Sequence, residues 1–107
     1  MFSFFNKNKI QSIDVDKLDN SLPNIKLIDI REDYETKFGT IKGAKKIPMA
    51  VLLAKPEQYL NKNDQYYIMC QSGMRSSRTT KQLLALGYNV INVAGGFGSY
   101  RGKNIKK

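Results

Sequence analysis

The 107-residue sequence predicts one α/β domain built on a mainly parallel sheet. Short apolar stretches alternate with helix-like stretches along the chain, the pattern of successive strand–helix units. The length allows a single core, because two would leave neither half enough buried surface. A continuous buried strand, Tyr66-Tyr67-Ile68-Met69, runs directly into a polar, Gly-containing loop and then a helix.

The elements follow in order. Residues 1–11 are expected to be an N-terminal extension, frayed or packed by its Phe residues on the sheet edge, with the domain over 12–107. A short strand is expected around Ser12-Ile13, then a helical turn near Val15 to Leu18. Asn24 to Asp29 reads as a second strand that ends on a carboxylate, and Arg31 to Phe38 as a short helix closed by Gly39. A short strand at Lys46-Ile47 precedes a partly helical stretch, Met49 to Leu60, that Pro56 interrupts. After Tyr66 to Met69 and its loop, a helix runs through Leu83, Leu84 and Leu86 and stops at Gly87. Tyr88 to Val93 is the last strand, and Gly95-Gly96 opens a closing turn.

Composition excludes several kinds of chemistry. One cysteine allows no internal disulfide, which favours a reducing compartment and hence the cytoplasm. No histidine is present, so His-dependent triads and Cys–His pairs are ruled out and a zinc site is not expected. The longest apolar run, Met49 to Ala54, is far too short to cross a bilayer, so no membrane is expected. The start Met1-Phe2-Ser3-Phe4-Phe5 lacks the basic flank and cleavage site of a signal peptide. The net charge of +9 suits small anionic substrates or an acidic partner protein. Its lysines are scattered and no aromatic stacking pattern accompanies them, so nucleic acid is not the expected partner.

The chemistry concentrates in Cys70-Gln71-Ser72-Gly73-Met74-Arg75-Ser76-Ser77. A thiol at the carboxyl end of a buried strand stands where open α/β sheets bind ligands. Successive N–H groups from Gln71 to Ser76 can curl into an anion-binding nest at a helix N-terminus. Gly73 supplies a residue that tolerates φ > 0, Ser76 and Ser77 are capping types, and Arg75 adds a positive charge. Each feature favours thiolate over thiol, so Cys70 should ionise below the free value of roughly 8.5. A buried cysteine that merely fills space is the competing reading. The glycine, arginine and serine pair at helix-start spacing favour a nucleophile.

These motifs together resemble the rhodanese-like domain family. Leu27-Ile28-Asp29-Ile30-Arg31-Glu32 with Gly39-Thr40-Ile41-Lys42-Gly43-Ala44 resembles its first half, and Cys70 to Ser76 its active-site loop. Leu84-Ala85-Leu86-Gly87-Tyr88, Ala94-Gly95-Gly96-Phe97 and Tyr100 resemble its later segments, so the likeness runs from about Ser12 to Arg101. The resemblance implies a three-layer domain with a central five-stranded, mainly parallel sheet flanked by helices. It also implies a sulfurtransferase that carries sulfane sulfur from thiosulfate or another donor to a thiol or cyanide as a Cys70 persulfide. Gln71, Ser72, Gly73, Met74 and Arg75 would form the substrate- and persulfide-binding loop, with neither metal nor organic cofactor. Thr40, Lys42 and Tyr100 stand where the family often has His, Pro and Trp. Arg31 is expected to pair with a buried carboxylate that fastens the sheet, and Asp29 to act as a loop or cap partner.

Two other functions fit parts of this pattern. Cysteine phosphatases and arsenate reductases also join a thiol, a nest and an arginine, but space them as C-x5-R. Here four residues separate Cys70 from Arg75, and no acidic residue is expected beside the loop to protonate a leaving alcohol. A non-enzymatic interaction module on the same fold is the other alternative, and the presence of Cys70 weighs against it.

Overall fold

A computed structural model describes residues 9–107. The Phe-rich start and most of the expected N-terminal extension lie outside the described residues. Among the described residues seven strands form: β1 (Ser12–Asp14), β2 (Lys26–Asp29), β3 (Thr40–Ile41), β4 (Lys45–Lys46), β5 (Gln65–Met69), β6 (Asn89–Ala94) and β7 (Ile105–Lys106). With them stand three α-helices among the same residues: α1 (Asp33–Thr36), α2 (Met49–Ala54) and α3 (Met74–Ala85). Short 3-10 turns cover Val15–Asn20, Pro56–Gln58 and Phe97–Ser99.

The central sheet has the order β1-β6-β5-β2-β4, and all of its pairings are parallel. Strands β3 and β7 make a small antiparallel pair beside it, an element the sequence pattern did not announce. Successive side chains of β2 and β5 point to opposite faces. Ile28, Ile68 and Cys70 therefore enter one core with Leu52 of α2 and Leu83 of α3. Leu27 and Met69 enter the other with Val15, Leu18, Ile41 and Val93. Three layers result, and Cys70 lies on the α2–α3 side. Among the described residues no helix is long and apolar enough to cross a membrane.

Two helices depart from the expected form. The Arg31–Phe38 helix contracts to Asp33–Thr36, started by a reciprocal box between Glu32 and Glu35. On α3 the buried stripe is Ser76, Thr79, Thr80 and Leu83, at helical spacing, while Leu86 is exposed. The leucines mark the end of that helix, and its small polar residues pack against the sheet. Gly87, at φ 95°, ends it in the left-handed conformation as expected. Pro56 opens a 3-10 turn and so divides the Met49 to Leu60 stretch.

Candidate active site at the end of β5

The last residue of β5 is Met69, and Cys70 follows it into the crevice at the carboxyl edge of the sheet. Gly73 then takes φ 101° and caps α3, so the turn from strand to helix is completed in four residues, Cys70 to Gly73. The N-cap is thus Gly73, and Ser76 sits one turn inside the helix rather than capping it. The first intrahelical bond, Ser77 N–H to Gly73 O, leaves the N–H groups of Met74, Arg75 and Ser76 ahead of it without helical acceptors.

Cys70 Sγ fills that position. It accepts from Gly73 N–H at 3.1 Å and from Ser76 N–H at 3.3 Å, and lies 3.4 Å from Ser76 Oγ. Burial pushes the thiol up. The hydroxyl of Ser76 and the N–H groups of Ser76, Gly73 and Ser72 oppose it, and the balance leaves Cys70 below the ordinary thiol range. The residue is fully buried, so the loop closes over its sulfur. An open cleft next to it is lined by Ser72, Gly73, Met74, Ser77, Arg78 and Asn92.

The closing segment holds the loop from below. Phe97 N–H donates to Cys70 O and Gly98 N–H to Gln71 O. Gly96, at φ 65° and ψ −173°, is needed for this approach, since a Cβ there would stand 2.5 Å from Gln71 O and 2.6 Å from Cys70 O. That backbone conformation is itself almost confined to glycine.

The other loop residues diverge. Gln71 turns its amide oxygen to Arg31 Nη1 at 3.1 Å, while Ser72 and Met74 are exposed. Arg75 does not stand free beside the thiol. Its guanidinium donates twice to the carboxylate of Glu35, at 2.7 Å each. The expected positive charge near the sulfur is present, within electrostatic reach of Cys70, but it is shared with Glu35. The expectation that no acid adjoins the loop is corrected, because Glu35 does. That acid stays ionised: Arg75 hydrogen bonds hold its carboxyl down at about 2, against the opposing effect of burial.

Arg31 behaves as the sequence predicted. It is buried against the wholly buried Asp29, with three guanidinium contacts of 2.9–3.1 Å. It also donates to Gly39 O and Glu35 O and lies 4.2 Å from the centre of the Phe97 ring. Thr40 Oγ1 completes the Asp29 shell, donating to Oδ2 at 2.6 Å. Tyr100 donates to Asp19 Oδ1 at 2.7 Å and packs on the far core.

Two participants and one side-chain role lie beyond the sequence reading. The Ser76 N–H belongs to the expected nest, but its hydroxyl, expected as a cap, lies against the thiol. Glu35 carries no local signal, since its partner is forty residues away. Asn92 did leave one: a polar residue inside the apolar run Val90-Ile91-Asn92-Val93, on the same strand face as Val90.

The Rhodanese-like domain family matches residues 14–103 of this chain. The Bacillus subtilis protein YtwF, whose name assigns it provisionally to the sulfurtransferases, is 40% identical over 81 residues, covering 76% of this chain and 78% of that protein. Thiosulfate sulfurtransferase 18 of Arabidopsis thaliana is 29% identical over 104 residues, covering 83% of this chain and 76% of its own length. The crystal structure of a rhodanese-like domain protein from Staphylococcus aureus superposes with a TM-score of 0.82 at 35% identity, covering 91% of this chain and 97% of that one.

Proposed function

The chain belongs to the rhodanese-like domain family, and on that premise we propose that it is a sulfurtransferase whose carrier is a persulfide on Cys70. Sulfur transfer as the class of reaction rests on the family and on relatives named for it. The observation that carries the residue assignment is the seat of Cys70 Sγ on the N–H groups of Gly73 and Ser76, at the start of α3.

The reaction runs in two displacements. Cys70 thiolate attacks the outer sulfur of thiosulfate, or of a persulfide donor. The sulfur–sulfur bond of the donor breaks, and sulfite or a thiolate leaves with the electron pair. In the second step an acceptor thiolate or cyanide attacks the outer sulfur of the Cys70 persulfide, and Cys70 thiolate is released. The N–H groups at the head of α3 are fixed donors for the charge on the terminal sulfur, so they need no reorganisation during transfer. Because the thiol is covered at rest, the cover over the sulfur must shift to admit the donor while the N–H groups at the head of α3 keep their places. Arg78 lines that cleft, and among the described residues the ion pairs are Arg31–Asp29 and Arg75–Glu35. Arg78 therefore supplies the attraction for an anionic donor that Arg75 cannot.

The phosphatase reading loses support. Loop length still favours a single sulfur over a whole phosphate, and Glu35, ionised and bound by Arg75, has no proton to give a leaving alcohol at neutral pH.

Incubation with thiosulfate should add the mass of one sulfur atom to Cys70, and added cyanide should then yield thiocyanate. Cys70→Ser should do neither. Full turnover by Cys70→Ser, or hydrolysis of aryl phosphates in preference to use of thiosulfate, would defeat the assignment.

A further inference from the structure

Ser76 has one hydroxyl proton and three acceptors around it. Its Oγ lies 2.6 Å from Asn92 Oδ1, 3.2 Å from Gly73 O and 3.4 Å from Cys70 Sγ. Asn92 is buried, 5% exposed, and its Nδ2 lies 3.4 Å from Ser12 Oγ on β1. We infer that Asn92 is a positioning residue for the reactive thiol, which competes with Cys70 for the proton of Ser76. The inference rests on the reading of Cys70 as that thiol.

The nearest acceptor takes the proton. With Cys70 protonated, Sγ–H donates to Ser76 Oγ, and Ser76 Oγ–H donates to Asn92 Oδ1. The chain Cys70–Ser76–Asn92 thus holds the neutral thiol in a directed arrangement. Ionisation sends the thiol proton to solvent and leaves a sulfur that only accepts. Ser76 must then turn its proton from Asn92 to Sγ, which strands a buried amide oxygen. The alternative is for the Asn92 amide to turn over, so that Nδ2 donates to Ser76 and Oδ1 faces Ser12. Both routes cost free energy. Asn92 therefore keeps the thiolate fraction below what Ser76 and the loop N–H groups would produce alone.

The reaction gives that restraint a use. Cys70 attacks in the first displacement and leaves in the second. A more basic thiolate attacks better, and a less basic one leaves faster. In the persulfide the inner sulfur bears no charge, so the Ser76 proton returns to Asn92 until Cys70 departs.

Other groups near Cys70 do not mimic the effect. The charged pair facing it is Arg75 on α3 with Glu35 on α1, with the Tyr34 hydroxyl close to Arg75. Arg78 of α3 lines the adjoining cleft with Asn92 and is common to every variant compared, and from β6 and β1, among the described residues, come the neutral Asn92 and Ser12. The neighbours from β2, β5 and α2 are Ile28, Ile68 and Leu52.

The test is the pH dependence of Cys70 alkylation by iodoacetamide, read by intact mass. It uses the full chain without any sulfur donor, so its outcome is separate from that of the sulfur-transfer assay. Asn92→Leu, of similar volume without an acceptor, should lower the midpoint and speed alkylation about tenfold below the wild-type midpoint. Asn92→Asp should raise the midpoint. In a Ser76→Ala background the effect of Asn92→Leu should vanish. An unmoved or raised midpoint in Asn92→Leu, or an equal shift without Ser76, would overturn the inference. If thermal unfolding shows Asn92→Leu not to fold, Asn92→Asp decides: a rise that shrinks in Ser76→Ala supports it, and no rise refutes it.

Discussion

Arg75 and Glu35, forty residues apart in the chain, are joined by two hydrogen bonds of 2.7 Å, so the helix that cradles Cys70 is tied to α1. The pair is partly buried and bidentate, the geometry in which an ion pair contributes measurably. Glu35 ionises at about 2 in the folded chain, against an ordinary 4.5. A depressed carboxyl stabilises the fold fully above its unfolded value and ceases to do so as pH falls through the folded one. Glu35→Gln should cost about 1–2 kcal/mol at neutral pH. It should also flatten the loss of stability between about pH 4.5 and pH 2. Urea unfolding at several pH values checks both, and an unchanged acid limb would count against the pairing.

With Arg75 committed to Glu35, Arg78 is the guanidinium at the cleft left to meet an anion. Arg78→Ala should raise KM for thiosulfate severalfold while kcat changes little, since the attraction acts on encounter and binding. Added salt should shrink the difference. A fall in kcat with KM unmoved would place Arg78 elsewhere in the reaction.

Gly96 and Gly43 separate steric need from conformational preference. Both have positive φ, yet a Cβ at Gly43 meets nothing within 4 Å, whereas at Gly96 it would collide with two carbonyl oxygens of the Cys70 loop. Gly43→Ala should cost about 1 kcal/mol. Gly96→Ala should cost about 2–4 kcal/mol and depress sulfur uptake as well, because the loop must shift to make room. Equal losses of stability in thermal unfolding would show the close approach to be unimportant.

Arg31 is the more severe case. It neutralises a wholly buried carboxylate and also fixes Gln71 and the chain around Gly39. Arg31→Met leaves Asp29 charged and unpaired in the core, which should cost about 3–5 kcal/mol. Arg31→Lys keeps the charge but loses the fork and should fall between the two. Denaturant midpoints rank the variants, and a loss no larger than that of Glu35→Gln would contradict the structural role given to Arg31.

What the sequence disclosed follows the range of the interactions. Strand positions, the loop, the positive φ of Gly73 and the helix stop at Gly87 are local, and the residue types alone announce them. A buried carboxylate for Arg31 follows from the sequence, but its identity does not: the partner is Asp29, two residues away, which the sequence places only as a loop or cap partner. The β3–β7 pair rests on two-residue strands sixty-odd positions apart, too short for any period to show. Glu35 reaches Arg75 only because β2 and β5 are neighbours in the sheet, so local pattern could not reveal it. Ser76 was misassigned because helix-start serines are usually caps. Here Gly73 had already taken that position, which moved Ser76 one turn inward, onto the sulfur.

That displacement makes the titration of Cys70 a direct test of the loop. Burial disfavours the thiolate, and the Ser76 hydroxyl and three N–H groups outweigh it. Ser76→Ala leaves the N–H groups in place and removes the hydroxyl that can turn toward a charged sulfur. The alkylation midpoint should therefore rise by about one pH unit, yet stay below that of the unfolded chain. Stability should respond with the matching sign. A thiol with a depressed folded value adds stability as pH rises from that value to the unfolded one, and Ser76→Ala should reduce this gain. Alkylation rates and urea midpoints across the same pH range give two readings of one equilibrium. If the variant's thiol ionised as readily as the wild type's, the hydroxyl would have no part in it, and the backbone N–H groups would carry the activation by themselves.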